Sequence, residues 1–579
     1  MFYDLAMDTN YLNKLGYDPL KPTLKQIVSI KNNKDLQDYL QDTNFKGIRG
    51  FFDLEVYPDL KNSSVNVLYI VPGTQGLPNK EYYTKEDEES VTLRGKYKTH
   101  IHKMFKLAGY SPSEAKVKAE NVLEIEIKLA VPMMSETEKR NPMSLYNKRS
   151  VSQLSEMTPS IKWNSYFESL GIKGIDSVIV FEPQYMEVMG KLLSENQTNT
   201  IKDYLEWHAL HHAANYMSAE FSEANHEFYG KTLWGIEEMK PRWETVLEVC
   251  NNNIGEAIGK VYVDEFFPPE AKERAVEMVN NILTAFKKRI ENLDWMTEPT
   301  KQQALVKLNA LQIKIGYPDK WKSYSNLAVK SQKEGGSYLE NMQAASLWKL
   351  QEKIEKIGKR VDKTEWFLAP QTINAYYSPI FNEIVFTAGM LQPPFFNFTA
   401  DDAVNYGAIG AIIGHEVTHG FDDIGSQFDA EGNMKDWWSP QDREAFNNKK
   451  QLIIDQFNAY EPLPGLNING GLTVGENISD LSGLSVAYDA FVEQLKNTGN
   501  TQSIDGLTPE QRFYISYVTM LREKQKEEAL KVSLSNNPHS PGKYRAIGTI
   551  QNQESFYRAF EIEKGDVMYK PVQDRIKIW

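Results

Sequence analysis

Gly414-His415-Glu416-Val417-Thr418-His419-Gly420 is the stretch from which the rest of this chain can be read. Residues four apart on an α-helix share a face, because the helix turns once every 3.6 residues. His415 and His419 can therefore reach one metal ion together. Glu416 lies about 100° further round the helix, poorly placed to share that ion but able to reach a water on it as a general base. The pattern implies zinc and hydrolysis.

Upstream, Thr399-Ala400-Asp401-Asp402 has the form of an N-cap with two acids in the first turn, where the helix dipole favours negative charge. The predicted helix runs on through Ala408, Ile409, Ala411, Ile412 and Ile413 to the histidines. Gly407, Gly410 and Gly414 each cost about 1 kcal/mol relative to alanine in a helix, so they imply close packing by another element. Two imidazoles and a carboxylate are expensive to bury without partners, which favours a site over a core helix.

A zinc hydrolase takes three protein ligands and leaves one position open. In the extended motif H-E-x-x-H-x-x-G-x-x-H the third ligand is a histidine, but Asp422 and Gly425 stand at the two added positions, which excludes that class. Gly475-Glu476-Asn477-Ile478-Ser479-Asp480 offers a better candidate, read as the opening of a second helix through Leu484 and Tyr488. Glu476 and Asp480 share a face: the first can ligate the metal, and the second can accept the spare N–H of a ligating imidazole. The competing reading is a capping box, Thr473-x-x-Glu476, with Asp480 solvated.

The chain has 579 residues, too many for one core, so two or more lobes are expected. Hydrophobic residues at 41% and charged residues at 25% are ordinary for a globular protein, and the net charge of −13 argues against a nucleic-acid surface. No stretch approaches the roughly 20 apolar residues of a membrane helix. Cys250 is the only cysteine, which excludes an intrachain disulfide and a cysteine zinc site. Met1-Phe2-Tyr3-Asp4 opens no basic or apolar leader, so either the protein stays inside the cell or its true start lies upstream.

Residues 1 to about 45 read as helices, and Phe51 to Val71 as a β-hairpin turning at 59–64. From about Asp87 to Trp348 long helices dominate, for example Ser111 to Ala130, Thr198 to Phe221 and Pro269 to Leu293, and a charged helix is expected over Leu350 to Lys363. Trp366 to Phe386 is aromatic and β-branched, consistent with strands that turn at 378–382. His208, His211 and His212 lie at i, i+3 and i+4 on one helix, but no carboxylate accompanies them and they read as an ordinary helical face.

The two motifs together, His415 to Asp423 and Gly475 to Asp480, resemble those of the neprilysin and endothelin-converting-enzyme family of zinc metallopeptidases, which includes bacterial oligopeptidase O. Asn374-Ala375-Tyr376-Tyr377-Ser378, Gln392-Pro393-Pro394-Phe395-Phe396, and His539-Ser540-Pro541-Gly542 with Arg545 extend the match. So do Gly76-Leu77-Pro78, Asn141-Pro142-Met143, Ile315-Gly316-Tyr317-Pro318 and the terminal Trp579 in the rest of the chain. The resemblance implies a mainly α (α+β) fold of two lobes, a thermolysin-like zinc catalytic lobe with a small sheet over 361–579 and a mostly helical lobe over 1–360, enclosing a central cavity. It implies one Zn²⁺ per chain on His415, His419 and Glu476, Glu416 as base with Asp480 supporting, and His539 and Arg545 at the developing negative charge and the substrate carbonyl. Asn374 and Ala375 would hold the peptide backbone, and Phe395 and Met390 would line the pocket after the scissile bond. The expected activity is endopeptidase cleavage of oligopeptides before bulky apolar residues, by a monomer with no membrane span.

Two departures qualify these expectations. An aromatic-rich opening segment usual in the family is not found ahead of residue 1, so the chain reads as N-terminally incomplete, with any signal or lipid anchor of an extracytoplasmic bacterial protein in the missing part. An aspartate usual two residues before His539 is replaced by Asn537, which supports a protonated imidazole less and predicts weaker activity or activity shifted to lower pH.

Overall fold

A computed structural model describes residues 1–195 and 198–579. Apolar residues gather into two large cores. The first runs from Leu20 to Phe228, with Leu339 added, around Trp163, Trp207 and Tyr204. The second runs from Val263 to Trp579 and holds the motif helix. It begins upstream of residue 361 because the helix Pro269–Glu291 turns Met278, Val279, Ile282 and Phe286 into it. A small third cluster joins Phe2, Ala6 and Leu12 to Val246, Cys250 and Tyr338.

In the first lobe, β1 (Phe52–Asp59) and β2 (Asn62–Pro72) form the expected hairpin, and the sheet is completed in the order β1-β2-β4-β3 by β3 (Asn147–Ser150) and β4 (Ser177–Val180). Helices surround it. Ser111 caps the helix Pro112–Ala130, where the sequence placed it, and Thr198–Ala213 is followed by separate short turns. The expected helix Leu350–Lys363 is instead Tyr338–Lys356, capped by Ser337 with Glu340.

The second lobe has a three-stranded sheet ordered β5-β7-β6, made of β5 (Gln312–Gly316), β6 (Ala375–Ser378) and β7 (Glu383–Thr387). β5 lies in a stretch expected to be helical. Its parallel partner β7 is some 70 positions away in the sequence, and a five-residue run has too little periodicity to announce a pairing at that range. Among the described residues β6 pairs only with β7, and its Ala375, Tyr376 and Tyr377 line the cleft beside the motif helix.

Asp401 caps the motif segment by accepting from the Ala403 N–H at 3.1 Å. The segment is not one uniform α-helix: a π-helical turn over Tyr406–Gly410 separates Asp402–Asn405 from Ala411–His419. Gly414 shows why small residues are needed here, because a Cβ on it would lie 2.3 Å from the Gly483 carbonyl oxygen. Gly483 belongs to the 29-residue helix Gly470–Thr498, which carries Glu476. Two glycines back to back thus let two helix backbones touch. This helix starts six residues before Glu476, not at it. Asn469 is the cap, and Thr473 already lies inside, donating to the Asn469 carbonyl at 3.2 Å, so the capping-box alternative does not form. Gly470-Gly471 disguised the true start. Among the described residues no helix is long and apolar enough to cross a membrane.

Candidate metal centre and peptide cleft

Where the motif helix crosses Gly470–Thr498, three side chains converge. His415 Nε2 and His419 Nε2 are 2.9 Å apart, and Glu476 Oε2 lies 3.2 Å from the first and 3.4 Å from the second. Behind each imidazole stands a carboxylate: His415 Nδ1 is 2.8 Å from Asp480 Oδ1, and His419 Nδ1 is 2.7 Å from Asp422 Oδ2. A carboxylate only accepts, so each Nδ1 carries the hydrogen and each Nε2 presents a lone pair. Two nitrogen lone pairs and a carboxylate oxygen then face one another with nothing of their own to share. Glu476 Oε2 is buried without a hydrogen-bond partner. Such a donor set fits a divalent cation, and the two imidazoles and one carboxylate suit zinc. Among the described residues it is the group of histidine, cysteine or acid side chains close enough for this, with ligand atoms within 4.8 Å of one another.

The supporting carboxylates are themselves fixed. Burial opposes a charge on Asp480, but the Arg545 guanidinium overcomes it and holds the acid well below the usual range, donating at 2.7 Å from both Nε and Nη2. Asp422 Oδ1 accepts from the Ile424 and Gly425 N–H groups at 2.8 and 2.7 Å, closing the turn after the motif helix. That turn is also held by Lys307, buried and donating to the Gly425 and Phe428 carbonyls, its pKa pushed down by burial to about 7.

Facing this rigid wall is a looser one. His539 lies in the loop after the helix Glu527–Asn536; its side chain is 44% exposed, with Nε2 3.1 Å from Glu476 Oε2. Asn537 Oδ1 accepts from the His539 backbone N–H at 2.9 Å and lies 3.1 Å from Nδ1. The helix leading to this loop docks on the first lobe, with Asn79 donating to the Ser535 carbonyl at 3.3 Å and Lys531 paired with Glu89 at 3.1 Å. Beyond the loop, Ser540 donates to Asn477 at 2.9 Å on the Glu476 helix.

A cleft of about 490 Å³ opens over these groups. His415, Glu416, His419, Glu476, Asp480, His539, Arg545, Asn374, Ala375, Met390 and Phe395 all line it, so the structure brings together the metal, catalytic and substrate-binding candidates of the sequence. Met390 and Phe395 share an apolar flank with Ala411, Ile412, Met520 and Leu521, while Asn374 and Ala375 sit at the free edge of β6.

Two models of peptidase family M13 match the chain, one over residues 1–318 and the other over 374–576. The chain belongs to peptidase family M13. It is similar to neprilysin-11 of Caenorhabditis elegans, 32% identical over 588 residues that cover 96% of this chain and 69% of that protein. It is also similar to the zinc metalloprotease ZMP1 of Mycobacterium tuberculosis in complex with an inhibitor, at 34% identity and a TM-score of 0.95, covering all of this chain and 88% of the other. Against the open state of ZMP1 the TM-score is 0.74 at 35% identity, covering all of this chain and 90% of that one. As an M13 peptidase the protein is a zinc metalloendopeptidase with the two-lobed fold of the family.

For this M13 chain the sequence reading passed over two groups at the site. Asp422, behind His419, carried a usable signal: an acid three residues after the second histidine, in the turn that follows the same helix. Arg140, which lines the cleft from the first lobe, carried none. The histidines on Thr198–Ala213 do not converge with any acid on a common point. His208 lies against Tyr204 with ring centroids 4.3 Å apart, and His211 stacks on Trp207 at 5.3 Å.

Proposed function

We propose that His415, His419 and Glu476 hold one zinc ion per chain, and that the chain cleaves oligopeptides on the amino side of bulky hydrophobic residues. The observation that carries this reading is the convergence of two imidazole lone pairs on Glu476 Oε2, each imidazole backed by its own carboxylate. Zinc bound there supplies Lewis acidity, lowering the pKa of a water and polarising the scissile carbonyl.

The chain's own residues do the rest. Glu416, buried at 7% exposure on the cleft wall, takes the proton of the attacking water and passes it to the departing amine. His539 donates from Nε2 to the oxygen that gains negative charge, and Arg545, already oriented by Asp480, binds the substrate carbonyl. Asp480 acts through His415 and Arg545. The peptide adds along the free edge of β6, held by Asn374 and Ala375, and its next side chain enters the apolar flank at Met390 and Phe395. The lobes part to admit the peptide and close over it, which excludes folded proteins.

Glu416→Gln tests the core of the reading. We expect cleavage of a fluorogenic peptide to fall by roughly 10³-fold or more while zinc stays bound, and retained cleavage rules out Glu416 as the base. Product mapping by mass spectrometry on a mixed peptide library tests the preference, with scattered cut sites counting against it.

A further inference from the structure

Arg140 crosses from the first lobe to the back of the proposed metal centre. It follows the short helix Glu136–Lys139, a segment fastened to its own lobe where the Met134 N–H donates to Glu182 at 2.7 Å. Its guanidinium forks onto Asp423, with Nε 3.2 Å from Oδ2 and Nη2 2.7 Å from Oδ1. The two side chains are only 13% and 11% exposed. Arg140 and Asp423 lie in the segments matched by the two different family models.

The pair is built into the site. Gly475 precedes the Glu476 ligand, and a Cβ there would lie 2.4 Å from Arg140 Nη2, 2.6 Å from Asp423 Oδ1 and 2.8 Å from Asp422 Oδ2. A side chain at 475 would push the arginine out, and its absence lets three charged groups meet behind the ligands. Asp422, Asp423 and Glu476 bring three carboxylates to this region. Arg140 hydrogen-bonds to Asp423 and acts through its charge on Asp422 and Glu476, with Lys450 adding a weaker influence on Asp423 and Lys307 acting on Asp422. Without it, adjacent buried carboxylates at 422 and 423 repel, and Asp422 is the acid that orients His419.

We propose that Arg140 is a positioning residue which the helical lobe lends to the metal centre: by clamping Asp423 it keeps Asp422 against His419, and so couples lobe closure to zinc affinity. The inference rests on the ligand set proposed above. It explains why a fork-shaped donor stands here, since a lysine cannot bridge both oxygens of Asp423 in the same way. This chain, in which the pair is formed, overlaps the inhibitor complex of ZMP1 at a TM-score of 0.95 and the open state at 0.74.

The test uses Arg140→Ala, Arg140→Lys, Asp423→Asn and the double variant Arg140→Ala/Asp423→Asn in the full chain. Zinc affinity is read by competition with a chromophoric chelator, and the radius of gyration of the zinc-loaded protein by small-angle scattering. We expect Arg140→Ala to lose roughly tenfold or more in zinc affinity and to expand, Arg140→Lys to lose less, and the double variant to be no worse than the worse single one. Zinc affinity and radius unchanged in Arg140→Ala, or additive losses in the double variant, would overturn the proposal. Should Arg140→Ala fail to fold, the ordering of Arg140→Lys and Asp423→Asn against the parent decides it by the same two readouts, and parental values in both overturn it. Glu476→Gln in the same competition keeps the two readings apart. If that variant binds zinc like the parent, the ligand set itself falls; if it loses zinc while Arg140→Ala does not, only the clamp falls.

Discussion

Two histidine pairs in this chain have the same helical spacing and opposite fates. His415 and His419 sit four apart on one helix, as do His208 and His212 on another. Behind the first pair stand Asp480 and Asp422, and Glu476 arrives from a crossing helix. In the second, His208 lies against Tyr204 and His212 against Tyr216, and burial pushes the pKa of His208 down to about 3 and that of His212 to about 4. Glu126 lies 3.8 Å from His208 Nε2 but is committed to the Tyr83 and Tyr97 hydroxyls, each at 3.0 Å, and burial raises its pKa to about 7. The same residue types thus make a charged, converging cluster in one lobe and a neutral, dispersed one in the other. What separates them is the partner behind each ring.

The sharpest way to break this contrast is to remove a backing carboxylate. Asp422→Asn leaves His419 in place but replaces an acceptor-only group with one that can also donate, and zinc affinity should drop by about 10- to 100-fold in chelator competition. An affinity within twofold of the parent would mean the carboxylate is not what distinguishes the two pairs.

A second measurement probes the neutral cluster. Because the folded-state pKa of Glu126 is raised to about 7, folding takes up a proton between the ordinary carboxylate range and neutrality, so its stabilising contribution is present at low pH and lost as pH rises through 7. Glu126→Gln does not titrate. Its stability relative to the parent should therefore improve by up to about 3 kcal/mol from pH 4 to pH 8 in paired denaturation curves, with zinc binding unaffected. A difference that stays flat with pH would show that Glu126 binds its proton equally well folded and unfolded, with no upward shift.

The smallest effect concerns a third imidazole, His539, which is backed by an amide and not an acid. Asn537→Asp supplies the missing charge, favours the protonated ring, and should move the alkaline limb of the pH-rate profile upward by less than about one unit. An unchanged profile would show that the amide already suffices.

The reach of sequence reasoning is set by the separation of the partners. The helix bearing His415 and His419, the β1–β2 hairpin and the helix ending at Ala130 were readable because each rests on contacts a few residues apart. Glu476 was found because Asp480, four residues on, gave it a local pattern to belong to. The start of its helix was missed because Gly470 and Gly471 look like a turn, and β5 was missed because its partner strand lies far along the chain. The His-Glu-x-x-His signature alone determined the chemistry on offer, since 3.6 residues per turn place two imidazoles on one side whatever surrounds them. Only the tertiary structure decided that Asp422 backs His419, how closely Gly414 and Gly483 let two helices approach, and that Arg140 meets Asp423 across 283 positions of sequence. Charge and packing act through space, and a linear pattern carries no record of neighbours that far apart.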